Sequence, residues 1–462
     1  MNFLRLSFKW SEAHPARAAV IAGWYQQGCT ILGAIISIPF ILRLLGREDA
    51  GLWFSLQGLL TMLGLADFGF SSAISRQAAH SLHLVIGNSV REHNRDLVET
   101  QPGWAGVSEL YAASRLLFWR VTAVAAISLV VVYHAVLPFT RLIAHPSLST
   151  TLTYYTLGVS VLLSMQLRLP LSFLDGTGYM FLSRLILGSY GILWNVASVI
   201  ALLWIPSLVS MSVAVLGCSV LQYAAMHLAL SRLGGRQIDF SVTAPKPLLS
   251  RLWKVALPLG VVSSGFYLVG VVQVPLLGAT LGAAVVAPYY IAARISQTLH
   301  AVVQQMTLTQ MPLFTQQLAA GHVPAARNRM VRTLIGGTSL YFLTSVLLYF
   351  ISPSIVRVWV GPGQYVTATV LLLITINFLV GGITVVPSHF VMAAGYNPFA
   401  LSTLAQGALT ILGIIALCPM IGVAGAPLAC LLAGLCTGYW YNLFKARQLW
   451  LQIQPEPEAE RH

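Results

Sequence analysis

The sequence predicts an all-α polytopic membrane protein, and three observations carry that expectation. Of 462 residues, 57% are hydrophobic and 8% charged, too little polar surface for a water-soluble chain of this length. Runs of roughly 20 apolar residues, the length that crosses the hydrocarbon core as a helix, recur from end to end. Most of the 26 basic and 13 acidic residues lie between those runs. Helices satisfy their own backbone hydrogen bonds, which is what hydrocarbon demands.

Apolar periodicity places about twelve spans, near residues 18–42, 51–76, 113–138, 149–174, 180–205, 208–231, 253–281, 283–310, 333–352, 366–394, 398–418 and 422–444. Residues 1–17 mix aromatic and basic side chains and form a cytoplasmic interfacial segment. The first span is too long for the core of a signal peptide and runs into a second, so it is expected to be retained. It holds Gln26 and Gln27, with Gly23, Gly28 and Gly33 permitting close helix approach. A short charged turn, Gly46 to Gly51, makes spans one and two antiparallel neighbours.

Span two carries Asp67, Ser71 and Ser75 at i, i+4 and i+8, with Arg76 at its edge. That spacing makes one polar face, lining water or another helix, and ionisable groups there are costly enough to need a reason. The stretch from Gly87 to Trp104 reads as a cytoplasmic loop or surface helix. Span four ends in PLSFLDGTGY, residues 170–179, where Asp175 and two glycines make a turn. The polar, basic stretch 232–252 divides an N-terminal lobe, 18–231, from a C-terminal lobe, 253–444, and 445–462 is a cytoplasmic tail. The five cysteines show no CxxC spacing and read as apolar packing residues; nothing in the chain calls for a metal or cofactor.

The two lobes are related in sequence. Pro39, Gly46 and Trp53 recur as Pro275, Gly282 and Tyr289, each 236 positions later, and Pro170 and Gly178 recur as Pro387 and Gly395, each 217 positions later. Parallel repeats place a substrate site between the halves near mid-membrane. Span eight supplies polar residues for it: Arg294, Gln297, Gln304 and Gln305, with His300 nearby, and 294, 297, 301 and 304/305 are expected on one face. Arg294 lies roughly 16 Å along the span, too deep for easy snorkelling.

Between Asp239 and Glu456 there is no acidic residue. Arg294 therefore pairs with Asp67 or Asp175, with backbone carbonyls, or with an anionic ligand. The planar guanidinium suits the last role, since it grips phosphate oxygens bidentately. Asp67 and Asp175 are either structural acceptors or coupling-ion sites. Gln26, Gln27, Gln297, Gln304 and Gln305 are candidate sugar or headgroup contacts, or interhelical hydrogen-bonding groups. His134, His227 and His389 read as packed or interfacial.

ILRLLGREDAGLWF (41–54), LADFGFSSAISR (65–76) and GVAGAP (422–427) resemble the landmarks of bacterial polysaccharide-export flippases of the O-antigen type, in the multidrug/oligosaccharidyl-lipid/polysaccharide (MOP) superfamily. The matching positions are Leu45, Gly46 and Glu48, then Gly51 and Trp53, then Asp67, Gly69 and Arg76; the second-half turn departs, with Ala283 and Ala284 where the first has Arg47 and Glu48. The resemblance implies two six-helix lobes in a V, a cationic central cavity and alternating access. It also implies a flippase, not an enzyme, that moves an undecaprenyl-diphosphate-linked oligosaccharide to the periplasmic leaflet of the bacterial inner membrane. Arg294 and Arg76 would then bind the substrate, and a polysaccharide polymerase and export machinery would be partners. The alternatives are a cation-coupled multidrug antiporter and a polytopic glycosyltransferase or polymerase using Glu48 and Asp49.

Basic residues concentrate in the loops on the side of the two termini, from Arg5, Lys9 and Arg17 to Lys445 and Arg447. Both termini are therefore expected to be cytoplasmic, and the net charge of +13 reads as topology and contact with anionic membrane lipids, not nucleic-acid binding. Fusion of a fluorescent protein to the C-terminus should give fluorescent cells, and fusion of alkaline phosphatase there should give inactive enzyme; the opposite pair would invert the topology.

Overall fold

The computed structural model describes residues 15–63, 69–82, 103–143, 147–233, 238–243, 248, 250, 252–253, 260–261, 264–265, 267–394 and 398–452. Asp67, most of the expected interfacial segment 1–17, all of the Gly87 to Trp104 loop but its last two residues, and the tail from 453 lie outside them. Every regular element described is helical, and the chain divides into two compact units, Met1–Ser264 and Gly265–His462.

The first unit contains α1 (Pro15–Leu44), α2 (Gly46–Thr61), α3 (Phe70–Ser81), α4 (Trp104–Val131), α5 (Leu148–Gly176), α6 (Met180–Trp204) and α7 (Leu208–Leu233). The expected charged turn at Gly46 to Gly51 is the start of α2. Gly46, at φ +77, makes the bend alone, and Glu48 and Asp49 then sit in the first helical turn, where the helix dipole favours anions. The expected continuous span 51–76 is broken: Gly69 adopts φ +70, a left-handed conformation that no α-helix contains, and α3 begins after it.

α1 packs along α6 at a backbone distance that only glycine allows. A Cβ on Gly33 would lie 2.7 Å from the Gly191 carbonyl oxygen and 2.6 Å from Asn195 Nδ2. Buried Asn195 uses both ends of its amide, accepting from Ser37 Oγ at 2.6 Å and donating to the Gly191 carbonyl at 2.7 Å. α4 and α5 are joined in the same manner. Tyr154 donates to the Leu129 carbonyl at 2.9 Å, and Gln166 Nε2 donates to Thr122 Oγ1 at 2.8 Å.

The core of this unit, around Phe70, Phe118 and Phe173, also takes in Ile238, Leu248 and Leu252. The described parts of 232–252, expected to form a polar linker, thus place their apolar side chains against the first unit. Phe240 packs edge-on to Tyr111 at 5.0 Å, and the Asp239 amide donates to Ser108 Oγ at 2.9 Å. The cause is composition: the stretch is basic on average but spaces Ile, Phe and Leu between its charges.

The second unit contains α8 (Gln273–Leu281), α9 (Val286–Leu308), α10 (Met311–Ala319), α11 (Val323–Phe350), α12 (Ser352–Trp359), α13 (Ala368–Ala393), α14 (Ala400–Ile421), α15 (Gly425–Cys436) and α16 (Gly438–Gln452). α13 is the hub, packing against α9, α10, α11, α15 and α16. α11 begins at Val323, well before the expected 333, so Arg327, Arg329 and Arg332 are helical. Their side chains make the extension tolerable. The Arg327 guanidinium lies 4.0 Å over the Trp450 ring, and Arg329 donates to Gln317 Oε1 at 3.0 Å and Gln310 Oε1 at 2.8 Å. The expected span 422–444 is two helices parted at Thr437, φ −128 and ψ −77.

Among the described residues eight helical stretches are long and apolar enough to cross a membrane, the last, Ala400–Gln452, covering two expected spans. The remaining expected spans, 51–76, 253–281 and 283–310, are not among them. The first two run through undescribed residues, and the third is diluted by the polar side chains of α9.

Gly382 illustrates how closely α13 and α11 meet: a Cβ there would lie 2.2 Å from the Tyr341 ring. Gly382→Ala should therefore destabilise the chain by about 1–3 kcal/mol, read as a lower thermal midpoint in detergent. Gly336→Ala, where no atom lies within 4 Å, should not.

Candidate functional site

The polar residues of α9 fall into two strips, not the single face expected from spacing. At about 100° per residue, Gln297, His300 and Gln304 share one side, while Arg294, Thr298 and Gln305 share another, roughly a quarter-turn round. The first strip lines a cavity of about 300 Å³ within the second unit, closed by residues of α8, α13, α14 and α16. Arg294 and Gln305 are not among its lining residues.

Side chains at the cavity are largely held by one another. Gln297 Nε2 donates to the Gly270 carbonyl at 3.2 Å, Tyr341 Oη lies 2.9 Å from His300 Nδ1, and Gln304 Nε2 lies 3.4 Å from His389 Nε2. Tyr289 donates to Gln273 Oε1, whose Nε2 donates to the Val269 carbonyl at 2.9 Å. Tyr439 donates to Asn377 Oδ1 at 2.6 Å. His389, expected to be packed, is 7% exposed, and its Nδ1 has no hydrogen-bond partner.

No Asp, Glu, Lys or Arg side chain lines the cavity among the described residues, His300 being its one titratable basic group, and no acidic residue occurs between Asp239 and Glu456. The cavity is polar without being charged. Its primary amides and hydroxyls can each donate and accept, which matches an uncharged guest that does both.

Arg294 keeps a distinct character. Its backbone carbonyl accepts from Thr298 at 2.8 Å, but its Nε is buried without a hydrogen-bond partner, and no described carboxylate pairs with it. Asp175, one of its expected partners, is committed elsewhere. It pairs with Arg184 at 2.8 Å and accepts from Ser183, closing the α5–α6 turn. Asp67, the other, lies outside the described residues. Arg76 is exposed on α3, and Gln26 and Gln27 are half-buried on α1.

Gln273, Asn377, Gln406 and Asn442, which helical spacing does not single out, reach the cavity from four helices. Each was visible only as a lone amide in an apolar run. Arg329 and Arg332, with Gln310 and Gln317, line a second hollow of about 400 Å³ in which the glutamine oxygens fix the Arg329 guanidinium.

No family model matches the chain, and no curated protein matches it in sequence. Solved structures do match in shape. An inward-facing multidrug-resistance MATE transporter of the MOP superfamily superposes with a TM-score of 0.65 at 12% identity, over 93% of this chain and 99% of the other. An outward-facing one gives 0.63 at 12% identity, over 95% and 96%. A MOP superfamily transporter from Pyrococcus furiosus, described as having a binding pocket of reverse polarity that suggests a different function, gives 0.59 at 12% identity, over 95% and 96%. The fold is thus the all-helical, polytopic fold of MOP superfamily transporters.

The Asp175–Arg184 pair predicts a structural phenotype. Asp175→Asn should lower stability by about 1–3 kcal/mol, because a half-buried guanidinium loses its charged partner. A coupling carboxylate would instead leave the thermal midpoint in place and abolish the pH or sodium dependence of transport.

Proposed function

We propose that this chain is a transporter that moves an undecaprenyl-diphosphate-linked oligosaccharide from the cytoplasmic to the periplasmic leaflet of a bacterial inner membrane, for surface polysaccharide assembly. The observation that carries the reading is Arg294, deep in α9, its Nε buried and unpartnered, in a unit whose sequence has no acidic residue before Glu456. A permanently charged group in that position favours an anion. The motifs at 41–54 and 65–76 point to the same class, and the MOP fold supports transport by alternating access.

In this reading the guanidinium fork of Arg294 holds a diphosphate oxygen pair, the amides of α9 meet sugar hydroxyls, and the prenyl chain stays in lipid. Net movement requires that the two access states bind the substrate with different affinity. Cation-coupled drug antiport, the alternative for a fold whose relatives include multidrug-resistance transporters, needs buried carboxylates. The uncharged cavity of the second unit and the engagement of Asp175 with Arg184 disfavour it. The relative described as having a binding pocket of reverse polarity that suggests a different function is a precedent for such divergence within the same fold.

Depletion of the protein in its native cell should raise the pool of lipid-diphosphate-linked oligosaccharide and lower surface polysaccharide, as measured by mass spectrometry of the lipid fraction. An unchanged pool with increased drug sensitivity would overturn export in favour of antiport. In a strain dependent on this chain, Arg294→Ala should abolish complementation, and Arg294→Lys, which keeps the charge but loses the bidentate fork, should restore only part of it.

A further inference from the structure

We propose that the cavity enclosed by α8, α9, α13, α14 and α16 is a binding site for an uncharged, hydroxyl-rich ligand of one or two sugar rings. That the ligand is a neutral sugar of the exported oligosaccharide rests on the transport reading above; the ligand class rests on the cavity.

Gln406 is the key observation. It is 7% exposed, lines the cavity, and has no hydrogen-bond partner among the described residues. Gly438 leaves room for its amide oxygen, since a Cβ there would lie 2.6 Å from Gln406 Oε1. An amide that reaches the cavity space with no protein partner is free to donate to and accept from a guest there. Asn442 stands beside it on α16 with no described partner, and Asn377, whose oxygen is taken by Tyr439, retains its Nδ2 donors.

Charge and size narrow the guest. An ion would be desolvated here with no opposite charge on the lining, whereas a sugar hydroxyl, both donor and acceptor, matches primary amides, which are both as well. Phe378 and Tyr439 add aromatic surface for the apolar faces of a ring. A water occupies about 30 Å³ in the liquid, so about 300 Å³ is much more than one bridging water needs, and it stands at the small end of ligand pockets. The position also suits a transported group: Gln297 is about 16 Å into α9, counted from Val286 at 1.5 Å per residue.

The test is saturation-transfer NMR on the full chain in detergent. The probes are methyl glycosides of neutral hexoses and N-acetylhexosamines, methyl glucuronide as the anion, and tetraphenylphosphonium as the cation. At least one neutral glycoside should receive saturation, and Gln406→Leu and Asn442→Leu should each remove most of it, while Leu401→Ala, exposed on α14, should not. Thermal midpoints establish that each variant is folded, and half-exposed Asn442 carries the test if Gln406→Leu is not. Absence of neutral-glycoside binding, binding that both variants retain, or preference for either charged probe would overturn the proposal. Glycoside binding together with an unchanged lipid-linked pool on depletion would keep the cavity and remove export; the reverse would remove the cavity alone.

Discussion

A polar atom inside a lipid-embedded helical bundle has no water to turn to, and the rest of this structure follows from how each such atom is answered. Most are answered within their own helix. Thr30, Ser172, Thr375 and Thr403 return their hydroxyl to a carbonyl one turn back, at 3.0, 2.7, 2.8 and 2.8 Å. Others are answered across a close helix contact, as Asn195 is between α1 and α6. Such contacts need small residues, because a partner must approach to hydrogen-bonding distance of backbone without a side chain in the way.

What these local answers leave over is informative. Arg294 Nε and His389 Nδ1 are buried without partners, and the amide of Gln406 faces a cavity. All three lie in the second unit, while the first leaves Trp53 Nε1, Ser55 Oγ and Ser114 Oγ buried without partners. The first unit contains a carboxylate–guanidinium pair at the α5–α6 turn, whereas the second has no acidic residue until the tail. The two units thus differ in their electrostatics.

Helix boundaries show where sequence reasoning loses purchase. Hydropathy locates an apolar run but not the helix that holds it. α11 extends beyond its apolar run because Arg327 finds the Trp450 face and Arg329 finds two glutamine oxygens. The break before α3 and the split between α15 and α16 are backbone events at Gly69 and Thr437 that apolar content cannot register. Gly46 was legible as a turn from the short charged stretch it opens and Gly282 from its place 236 positions later, and both adopt positive φ.

Composition and the spacing of apolar runs by themselves determined that this chain is all-helical and polytopic, since lipid permits little else. The absence of acid in the second half and the depth of Arg294 were equally present in the linear order. Which polar residues belong together was not. Gln273, Gln304, Asn377, Gln406 and Asn442 are scattered over 170 positions, each indistinguishable from a packing amide. Their convergence depends on the crossing of five helices, and a shift of one residue along α9 turns a side chain through about 100°. That rotation separates the strip of Arg294 from the strip of His300, and only the tertiary packing decided which of them faces the cavity.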